Sequence, residues 1–333
     1  MLNIAINGFG RIGRAVLKIA LTKKNLRVVA INDLGDPQNL AYLLKYDSVY
    51  GRFDKPIKIS GKELVVAGKK IPIFAIPEPN KLPWKKLKVD VVLECTGFFT
   101  EKKDAEKHLK AGAKAVIISA ATKSAEIPTV VRSVNEKIGK GHKIVANASC
   151  TTNCISPVMA VLEANFGIEK ALLTTVHAMT ASQGVVDSPD RKDWRRGRCT
   201  NLNIIPSTTG AAIATTLTVP SLKNKFDGIA LRVPVACGSI SDIVAVLKKN
   251  VTVDQVNNAF KRAAKMPLYR GVLEVSEDDL VSADIVGTTA SAIVDLQYTR
   301  VVDGNLVKIL AWYDNEWAYS NRLVEMAGFI FSK

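Results

Sequence analysis

Residues 2–14 read LNIAINGFGRIGR, a short apolar run that leads directly into closely spaced glycines. The run 2–7 has the length of a buried strand, and residues 12–21 carry apolar side chains at helical spacing. A second apolar run at 27–32 predicts the next strand. A strand, a helix and a second strand in this order build parallel sheets. This opening therefore predicts an α/β fold.

The three glycines Gly8, Gly10 and Gly13 fit the pattern G-x-G-x-x-G. Such glycines permit a tight turn and bring the backbone close to a pyrophosphate, which the N–H groups and the dipole of the following helix attract. Asp33 stands at the end of the second strand, where a carboxylate can bind both ribose hydroxyls and repels a 2′-phosphate. The pattern predicts a site for NAD rather than NADP. A bare glycine motif also occurs as a turn that only tightens packing.

The alternation of strands and helices continues to the middle of the chain. Strands are predicted at 90–95, 115–119 and 143–146, with a charged helix at 102–111. Because strands that alternate with helices imply a parallel sheet, we expect a Rossmann dinucleotide-binding domain over residues 1–149.

The pattern changes after residue 150. A helix at 155–165 precedes strand-like runs at 170–177, 228–235, 239–247, 292–295 and 306–313. Asp303-Gly304 is typical of a tight hairpin turn. We expect a second, α+β catalytic domain over 150–315, built on a mainly antiparallel sheet with helices on one face. The closing helix, within 316–333, is expected to pack back on the first domain.

The composition excludes several classes of protein. Apolar residues are 47% and charged residues 23% of the 333, close to globular averages, so disordered and collagen-like chains are excluded. No apolar run reaches the roughly 18 residues of a membrane helix, and glycines and arginines interrupt the stretch that a signal peptide would need. The five cysteines are an odd number, which argues against a disulfide framework. We therefore expect a cytoplasmic protein with no membrane partner.

The net charge of +15 is concentrated in the first half of the chain. Residues 1–149 carry 27 lysines and arginines against 13 acids, whereas the remainder is nearly balanced. Such asymmetry occurs in proteins that bind nucleic acid or another polyanion. The lysines stand singly or in pairs with few interleaved aromatics, which favours a solvated basic face.

A candidate nucleophile lies between the last predicted strand of the first half and the helix that follows. Cys150 would stand near the N-terminus of that helix, where the dipole lowers the pKa of a thiol. Of the three histidines, His108 and His142 lie in polar, charged segments and are expected to be exposed. His177 follows an apolar strand and is the candidate base by elimination. The alternatives are an inert buried cysteine and a hydrogen-bonded core histidine.

Anion-binding chemistry is spread over the second half. Thr180 follows His177 closely, and arginines, hydroxyls and a glycine occur at 195–198, 206–210 and 232. Arginine grips a phosphate bidentately, and threonine adds neutral donors. A phosphorylated substrate, or two phosphate sites, is therefore expected. No second cluster of Cys or His follows Cys150 and Cys154 at zinc spacing, so no metal is expected.

The chain resembles the phosphorylating, NAD-preferring glyceraldehyde-3-phosphate dehydrogenases over essentially its whole length. Four blocks carry the resemblance: NGFGRIGR at 7–14, SCTTNC at 149–154, IIPSTTGAA at 204–212, and WYDNEW at 312–317 with YSN at 319–321. The resemblance implies a homotetramer of two-domain subunits. It also implies the oxidation of D-glyceraldehyde 3-phosphate with NAD and inorganic phosphate to 1,3-bisphosphoglycerate, as in glycolysis and gluconeogenesis.

The resemblance also assigns roles to residues. It implies that Cys150 attacks the aldehyde as a thiolate to form a thiohemiacetal and then a thioester, and that His177 activates the thiol and serves as acid and base. The implied ligands of the substrate phosphate are Thr180, Arg196 and Arg232. The implied ligands of the attacking phosphate are Ser149, Thr151, Thr209 and Gly210. The implied NAD contacts, beside Gly8 and Gly10, are Arg11, Ile12, Asp33, Thr96, Ser119 and Asn315.

Other segments bear on the resemblance. The loop 182–201 resembles the segment that packs near a neighbouring subunit's cofactor, and its Pro189, like Asp33, resembles the NAD-preferring members. Pro77 replaces an arginine that relatives often carry at the adenine side, and residues 235–238 read VACG where relatives usually have Thr-x-Asn after the proline. Erythrose-4-phosphate dehydrogenase is the alternative enzyme, although the Thr208-Thr209-Gly210 block favours glyceraldehyde 3-phosphate.

Overall fold

The computed structural model describes residues 1–191 and 193–331. Lys192, within the 182–201 loop, and the last two residues of the predicted closing helix lie outside the described residues. The chain divides into two compact units. The first comprises 1–130, 136–148 and the chain from Ser320 onward, and the second comprises 131–135 and 149–319.

The first unit is built on one large sheet and a separate two-stranded ribbon. Its strands are β1 (Leu2–Asn7), β2 (Leu26–Asn32), β3 (Tyr46–Asp47), β4 (Gly51–Arg52), β5 (Ile57–Ser60), β6 (Glu63–Val66), β7 (Lys69–Phe74), β8 (Val91–Glu94), β9 (Ala115–Ile118) and β10 (Ile144–Ala146). Its first three helices are α1 (Arg11–Ala20), α2 (Pro37–Lys45) and α3 (Lys102–Lys110).

The large sheet has the strand order β10-β9-β8-β1-β2-β7-β6-β5, and β3 pairs with β4. All neighbours from β10 to β7 run parallel, which is the order of a doubly wound dinucleotide-binding fold. The predicted α/β fold is therefore confirmed. β5 and β6 extend the sheet as antiparallel strands and were not anticipated, because charged residues obscure the short alternation of residues 57–74.

The core of this unit lies between the sheet and its helices. Trp84 is fully buried in it beside Ala105 and Val116. His108 on α3 is also fully buried, so its expected exposure is wrong. Because most of the neighbouring residues in α3 are charged, the sequence did not indicate that His108 points into the core. His142 is exposed as predicted.

The second unit contains the remaining strands and most of the remaining helices. The strands are β11 (Ile168–Ala178), β12 (Ile205–Thr208), β13 (Phe226–Val233), β14 (Ser239–Leu247), β15 (Leu273–Ser276), β16 (Ala292–Val302) and β17 (Leu306–Tyr313). The helices are α4 (Cys150–Phe166), α5 (Ala211–Thr218), α6 (Val253–Lys265) and α7 (Ser282–Ile285); α8 (Trp317–Phe331) begins here and continues into the first unit. Short 3-10 turns occupy Pro79–Lys81 and Glu136–Gly139 in the first unit, and Trp194–Gly197, Pro220–Leu222 and Pro267–Tyr269 in the second.

The second sheet has the order β12-β13-β11-β14-β17-β16-β15. β11 pairs in parallel with β13, as β15 does with β16, while the other neighbours are antiparallel. This confirms the predicted mainly antiparallel sheet. The hairpin between β16 and β17 turns at Asp303 and Gly304, both with positive φ, as a tight turn requires. Side chains of α4, α5 and α6 pack with one face of the sheet in a continuous apolar core.

Helix α4 begins five residues before the predicted start. Ser149 is its N-cap, and the Ser149 hydroxyl accepts a hydrogen bond from the Thr152 N–H, which satisfies a donor that the first turn leaves unpaired. The cap places Cys150 as the first residue of the helix.

Within residues 1–191 and 193–331, we find no helix with both the length and the apolar character that crossing a bilayer demands.

Candidate active site and dinucleotide edge

The carboxyl ends of four parallel strands place the predicted dinucleotide residues along one edge of the first sheet. Gly8 follows β1, Asp33 follows β2, Thr96 comes shortly after β8 and Ser119 follows β9. In open α/β sheets, ligands bind at this edge where the strand order reverses. The four sequence positions are thus brought together by topology alone.

The glycine turn fits a pyrophosphate on steric grounds. Gly8 has φ +92°, and a Cβ there would lie 2.7 Å from the Thr96 nitrogen. A Cβ on Gly13 would lie 2.1 Å from the Gly8 carbonyl oxygen, so α1 packs too closely for any side chain. Gly10, by contrast, faces open space and caps α1 without a side-chain hydrogen bond. The first turn of α1 therefore offers an anion both room and N–H donors.

Asp33 is held against this turn by two backbone donors. Its carboxylate accepts hydrogen bonds from the Phe9 N–H at 2.6 Å and from the Gly35 N–H at 2.8 Å. Each oxygen keeps further lone pairs, so the group can still accept from ribose hydroxyls. Its negative charge opposes a 2′-phosphate.

The other predicted cofactor residues differ in what they offer. The Arg11 guanidinium pairs with Asp47 at 2.8 Å and lies over the Tyr50 ring, so this side chain is engaged within the protein. Arg11 and Ile12 lie in the first turn of α1, where backbone N–H groups are the donors open to an anion. The Ser119 N–H donates to the Glu94 carbonyl oxygen at 2.9 Å. Pro77 is exposed.

In the second unit, the ends of α4 and β11 bring the candidate nucleophile to the candidate base. The Cys150 Sγ lies 3.4 Å from Nε2 of His177. The two residues are 27 positions apart in the chain, and His177 is the penultimate residue of β11. A thiol in contact with an imidazole is the arrangement that activates cysteine nucleophiles.

The far nitrogen of His177 faces two partners. Nδ1 lies 2.7 Å from the Ala178 carbonyl oxygen and 2.6 Å from Nη1 of Arg232, which itself donates to that carbonyl. In one tautomer Nδ1–H donates to Ala178 and leaves Nε2 open to the thiol proton; in the other, Nδ1 accepts from Arg232. Arg232 reaches this place because it is the register partner of His177 between β13 and β11.

The environment keeps His177 uncharged. Burial, assisted by the positive charge of Arg232, lowers the pKa of His177 to about 3. A neutral imidazole at physiological pH can accept a proton, as a general base must.

The thiol of Cys150 is also held neutral. Burial raises its pKa, and the charge of Arg232 and hydrogen bonds at Thr151 only partly offset this effect. The expected lowering at the helix N-terminus is therefore wrong in its net direction, because desolvation outweighs the dipole. Burial also raises the pKa of Cys95, to about 12, and that of Cys154. Of these three thiols, Cys150 is the one whose pKa is lowered by the charge of a nearby arginine, Arg232.

Tyr313, at the end of β17, connects both reacting segments and was not singled out from the sequence. Its hydroxyl lies 2.9 Å from the Thr151 hydroxyl on α4 and 2.8 Å from the Thr175 hydroxyl on β11. The His177 ring lies edge-on to the Tyr313 ring. Tyr313 is almost fully buried, so it fixes the relative position of nucleophile and base.

Ser239 joins Asn315 to the backbone next to the base. The Ala178 N–H donates to the Ser239 hydroxyl at 3.0 Å, and that hydroxyl donates to Oδ1 of Asn315, also at 3.0 Å. Because this hydroxyl donates to Oδ1, Asn315 turns its oxygen toward Ser239 and its NH₂ group away from it, where the NH₂ group can donate to a ligand.

The predicted phosphate ligands occupy several loops of the second unit. The Thr180 hydroxyl bonds to that of Ser182, and Arg196 contacts Asp193 and the Thr208 carbonyl oxygen. Thr209 and Gly210 stand at the start of α5, where the Thr209 hydroxyl accepts from the Ala211 N–H. The structure brings Ser149 and Thr151 next to Cys150 and brings Arg232 against His177.

The 235–238 segment, which departs from the pattern of the resemblance, is held by hydrogen bonds and close packing. The buried Cys237 thiol donates to Asp314, and the other Asp314 oxygen accepts from the Gly287 N–H. A Cβ on Gly238 would lie 2.1 Å from the Ser282 carbonyl oxygen, and φ there is +89°. The segment is thus tied to the residue that precedes Asn315.

Comparisons with known proteins agree over the whole chain. The model for the NAD binding domain of glyceraldehyde 3-phosphate dehydrogenase matches residues 2–102, and the model for its C-terminal domain matches residues 149–315. Proteins named glyceraldehyde-3-phosphate dehydrogenase from Geobacillus stearothermophilus and Priestia megaterium are each 50% identical over 332 residues, covering 99% of this chain and 98% of theirs. The protein of that name from Buchnera aphidicola is 45% identical, covering 100% and 99%.

Proposed function

Because the chain belongs to the glyceraldehyde 3-phosphate dehydrogenase family, we propose that it is an NAD-dependent oxidoreductase that converts D-glyceraldehyde 3-phosphate and inorganic phosphate to 1,3-bisphosphoglycerate. The observation that carries this proposal is the 3.4 Å approach of the Cys150 sulfur to Nε2 of a neutral His177.

The residues of the second unit perform the acid–base and covalent steps. The Cys150 sulfur attacks the aldehyde carbon while its proton passes to Nε2 of His177, and His177 returns that proton to the aldehyde oxygen to give the thiohemiacetal. His177 then accepts the proton of the thiohemiacetal hydroxyl. NAD, when bound, accepts the hydride from that carbon. The resulting thioester is attacked by inorganic phosphate, which releases the acyl phosphate and the Cys150 thiolate.

The resting thiol has a physical consequence for this order of events. Burial raises the pKa of the Cys150 thiol, which favours transfer of its proton to His177 as the substrate reacts. The buried surroundings also strengthen the attraction of Arg232 for negative charge on the sulfur or on the aldehyde oxygen.

The proposed phosphate ligands fit the two anions that the reaction needs. Arg232, Thr180 and Arg196 combine two fixed guanidinium groups with a hydroxyl for the phosphate of the substrate. Ser149, Thr151, Thr209 and Gly210 offer hydroxyls and the N-terminus of α5 to the attacking phosphate.

Asp33 and Asn315 make different proposed contributions to the cofactor site. The Asp33 carboxylate beside the glycine turn favours NAD over its 2′-phosphorylated form. Asn315, oriented by Ser239, supplies an N–H donor for the nicotinamide carboxamide. Thr96 and Ser119 complete the proposed cofactor contacts.

Exposed apolar surface supports a homotetramer. Leu172, Ile213, Leu217 and Leu306 line a groove of about 1060 Å³ on the face of the second sheet. In the 182–201 loop, Val185, Val186 and Trp194 are each at least 67% exposed. Apolar patches of this kind mark protein interfaces, and sedimentation at four times the mass of one chain is expected. All five cysteines are free, which supports a place in the cytoplasm.

The test follows NADH absorbance with glyceraldehyde 3-phosphate and NAD, with and without inorganic phosphate. Parallel reactions replace NAD by NADP, the aldehyde by erythrose 4-phosphate, and the wild-type chain by Cys150→Ser. We expect phosphate-dependent turnover that prefers NAD and is lost in the variant. A preference for erythrose 4-phosphate would refute the named substrate but not the chemistry. Absence of NADH formation with either aldehyde would refute the enzyme and leave polyanion binding by the basic half as the alternative.

A further inference from the structure

A buried carboxylate that the proposed chemistry does not use lies beneath the dinucleotide edge of the first unit. Glu94, the last residue of β8, is 1% exposed. One of its oxygens faces Nδ2 of Asn7 at 2.5 Å and Nε2 of His108 at 3.0 Å. The other accepts from both the N–H and the hydroxyl of Thr96. All four neighbours can donate a hydrogen bond.

One arm of this network has a fixed direction that starts from the backbone. The Ile76 N–H donates to Oδ1 of Asn32, which obliges Nδ2 of Asn32 to be the donor toward Oδ1 of Asn7 at 2.7 Å. Nδ2 of Asn7 must then donate to Glu94. No amide in this arm can be reversed without setting donor against donor.

The other arm is fixed by an indole. Nε1 of Trp84 is a donor only, and it lies 3.0 Å from Nδ1 of His108. Nδ1 therefore carries a lone pair, and the proton of the neutral ring sits on Nε2, where it points at Glu94. Both arms reach the same oxygen of Glu94 as donors, and the Thr96 N–H donates to the other oxygen, so each oxygen accepts a hydrogen bond, as those of a carboxylate do.

Glu94 thereby determines where the segment after β8 lies. The Thr96 hydroxyl donates a hydrogen bond to Glu94 and accepts one from the Phe98 N–H at 3.1 Å. The Cys95–Thr96 peptide packs so closely on Gly8 that a Cβ at Gly8 would lie 2.7 Å from it. The carboxylate thus holds Thr96 and, through this peptide, the glycine turn.

We propose that Glu94 is a positioning residue for NAD, and that the one-directional hydrogen bonds from His108 and Trp84 keep it in the accepting state. The inference rests on the proposed NAD site. The network contacts the dinucleotide edge through Thr96 and the Gly8 turn. Loss of the network is therefore expected to weaken NAD binding without altering the chemistry at Cys150.

The first test is Glu94→Gln in the full chain, freed of bound nucleotide. In either orientation the glutamine sets its NH₂ group against two donors, so Thr96 or the Asn7 and His108 pair loses its acceptor. We expect the Kd for NAD, measured by calorimetry, to rise about tenfold, which corresponds to about 1.4 kcal/mol. The KM for NAD is expected to rise with it, while kcat at saturating NAD stays within twofold.

A matched control separates positioning from general loss of structure. Glu136→Gln changes another buried carboxylate of the same unit. It is expected to lower Tm while the Kd for NAD stays within twofold of wild type. A purely structural role for Glu94 would give Glu94→Gln the same result as this control.

A second variant serves if Glu94→Gln does not fold. Trp84→Phe removes one N–H donor and keeps an aromatic ring, so that His108 is no longer held in one tautomer. We expect a roughly threefold rise in the Kd for NAD, in line with the loss of one buried hydrogen bond. With only three histidines in the chain, solid-state ¹⁵N spectra of histidine-labelled protein are expected to show the Nε2–H tautomer of His108 in wild type and a tautomer mixture in the variant.

The outcomes distinguish this inference from the proposed function. If the wild-type chain does not bind NAD, both are overturned. If the wild type binds NAD and a folded Glu94→Gln or Trp84→Phe binds it within twofold, the positioning role alone is overturned. A selective rise in Kd and KM in these variants, absent from Glu136→Gln, supports it.

Discussion

The two units form their parts of the site from different groups, the first mainly from backbone and the second from side chains. In the first unit, the dinucleotide edge consists mostly of backbone: a turn with no room for side chains at Gly8 and Gly13, and the exposed first turn of α1. In the second unit, the reacting centre consists of side chains from separate elements, with Cys150, His177 and Arg232 contributed by α4, β11 and β13.

This difference determines how each part can fail. A backbone site is damaged by adding atoms, because its shape depends on close packing. A side-chain site is damaged by removing a functional group, because its chemistry depends on proton acceptors and charge. The first kind of damage weakens binding, and the second slows the reaction.

Removal of the base is expected to have the largest effect. His177→Asn abolishes the acceptor for the thiol proton, and we expect kcat to fall roughly 10³-fold, within the range for general base catalysis. Stopped-flow measurement of the first turnover tests this. His142→Asn, at an exposed position, is the control and should retain wild-type kcat. A fall of less than tenfold in His177→Asn would assign the base elsewhere.

Addition of one methyl group to the turn tests the first unit. In Gly13→Ala the new Cβ collides with the Gly8 carbonyl oxygen, and we expect a loss of about 1–3 kcal/mol in the free energy of unfolding. Gly10→Ala is the matched variant, since its Cβ meets nothing within 4 Å. It is expected to lose less stability than Gly13→Ala, since it gives up only the preference of an N-cap for glycine over alanine. It is also expected to bind NAD more weakly, because the methyl group enters the space of the pyrophosphate. Equal Tm losses in both variants would contradict this steric account.

The stability of the protein should depend on pH through His177. Its pKa is about 3 in the folded chain against an ordinary 6.5, so between these values the unfolded chain binds one proton more. The free energy of unfolding is then expected to fall by about 1.4 kcal/mol for each pH unit below 6.5. Denaturant titrations at several pH values measure this slope. The slope should be shallower in His177→Asn and unchanged in His142→Asn.

The smallest effect concerns the reactivity of the thiol. Arg232 opposes the upward shift that burial imposes on the pKa of Cys150, so Arg232→Gln raises that pKa further. Alkylation by iodoacetamide, a neutral reagent, is expected to slow by several-fold at pH 8, with the rate profile displaced to higher pH. Arg198→Gln, which removes an exposed partner of Asp187, should alkylate at the wild-type rate.

The same contrast explains what the sequence could predict. The strand, glycine turn and helix at residues 2–20 are contiguous, so local patterns locate them to within a residue of the observed bounds. In the second unit, β11, β13, β14, β16 and β17 are also predicted from the sequence, whereas the short strands β12 and β15 are not. The register that places Arg232 beside His177 depends on long-range pairing. The resemblance assigned Arg232 to a phosphate; its contact with the base emerges only in the structure.

The wrong predictions and the residues that the sequence analysis missed have a common origin in tertiary contacts. His108 lies in a charged helix, yet it is buried because Trp84 and Glu94 satisfy both ring nitrogens. The pKa of Cys150 moves opposite to the expectation because burial outweighs the helix dipole. Tyr313 and Ser239 acquire their importance from hydroxyl contacts between distant segments. Desolvation and tertiary hydrogen bonding are set by neighbours that a linear pattern does not reveal.

The pairing of β11 with β13 makes the chemistry depend on the register of two strands. His177 lies opposite Arg232, with Leu231 and Val233 on either side of it along β13. Because side chains alternate between faces, a one-residue slip would turn the guanidinium to the opposite face of the sheet and bring an aliphatic side chain to the base. The same slip would turn Phe226 and Ala230, which are buried on the face of β13 that carries Arg232, out of the core. The packing that fixes the register of β13 therefore also keeps the guanidinium beside the nucleophile.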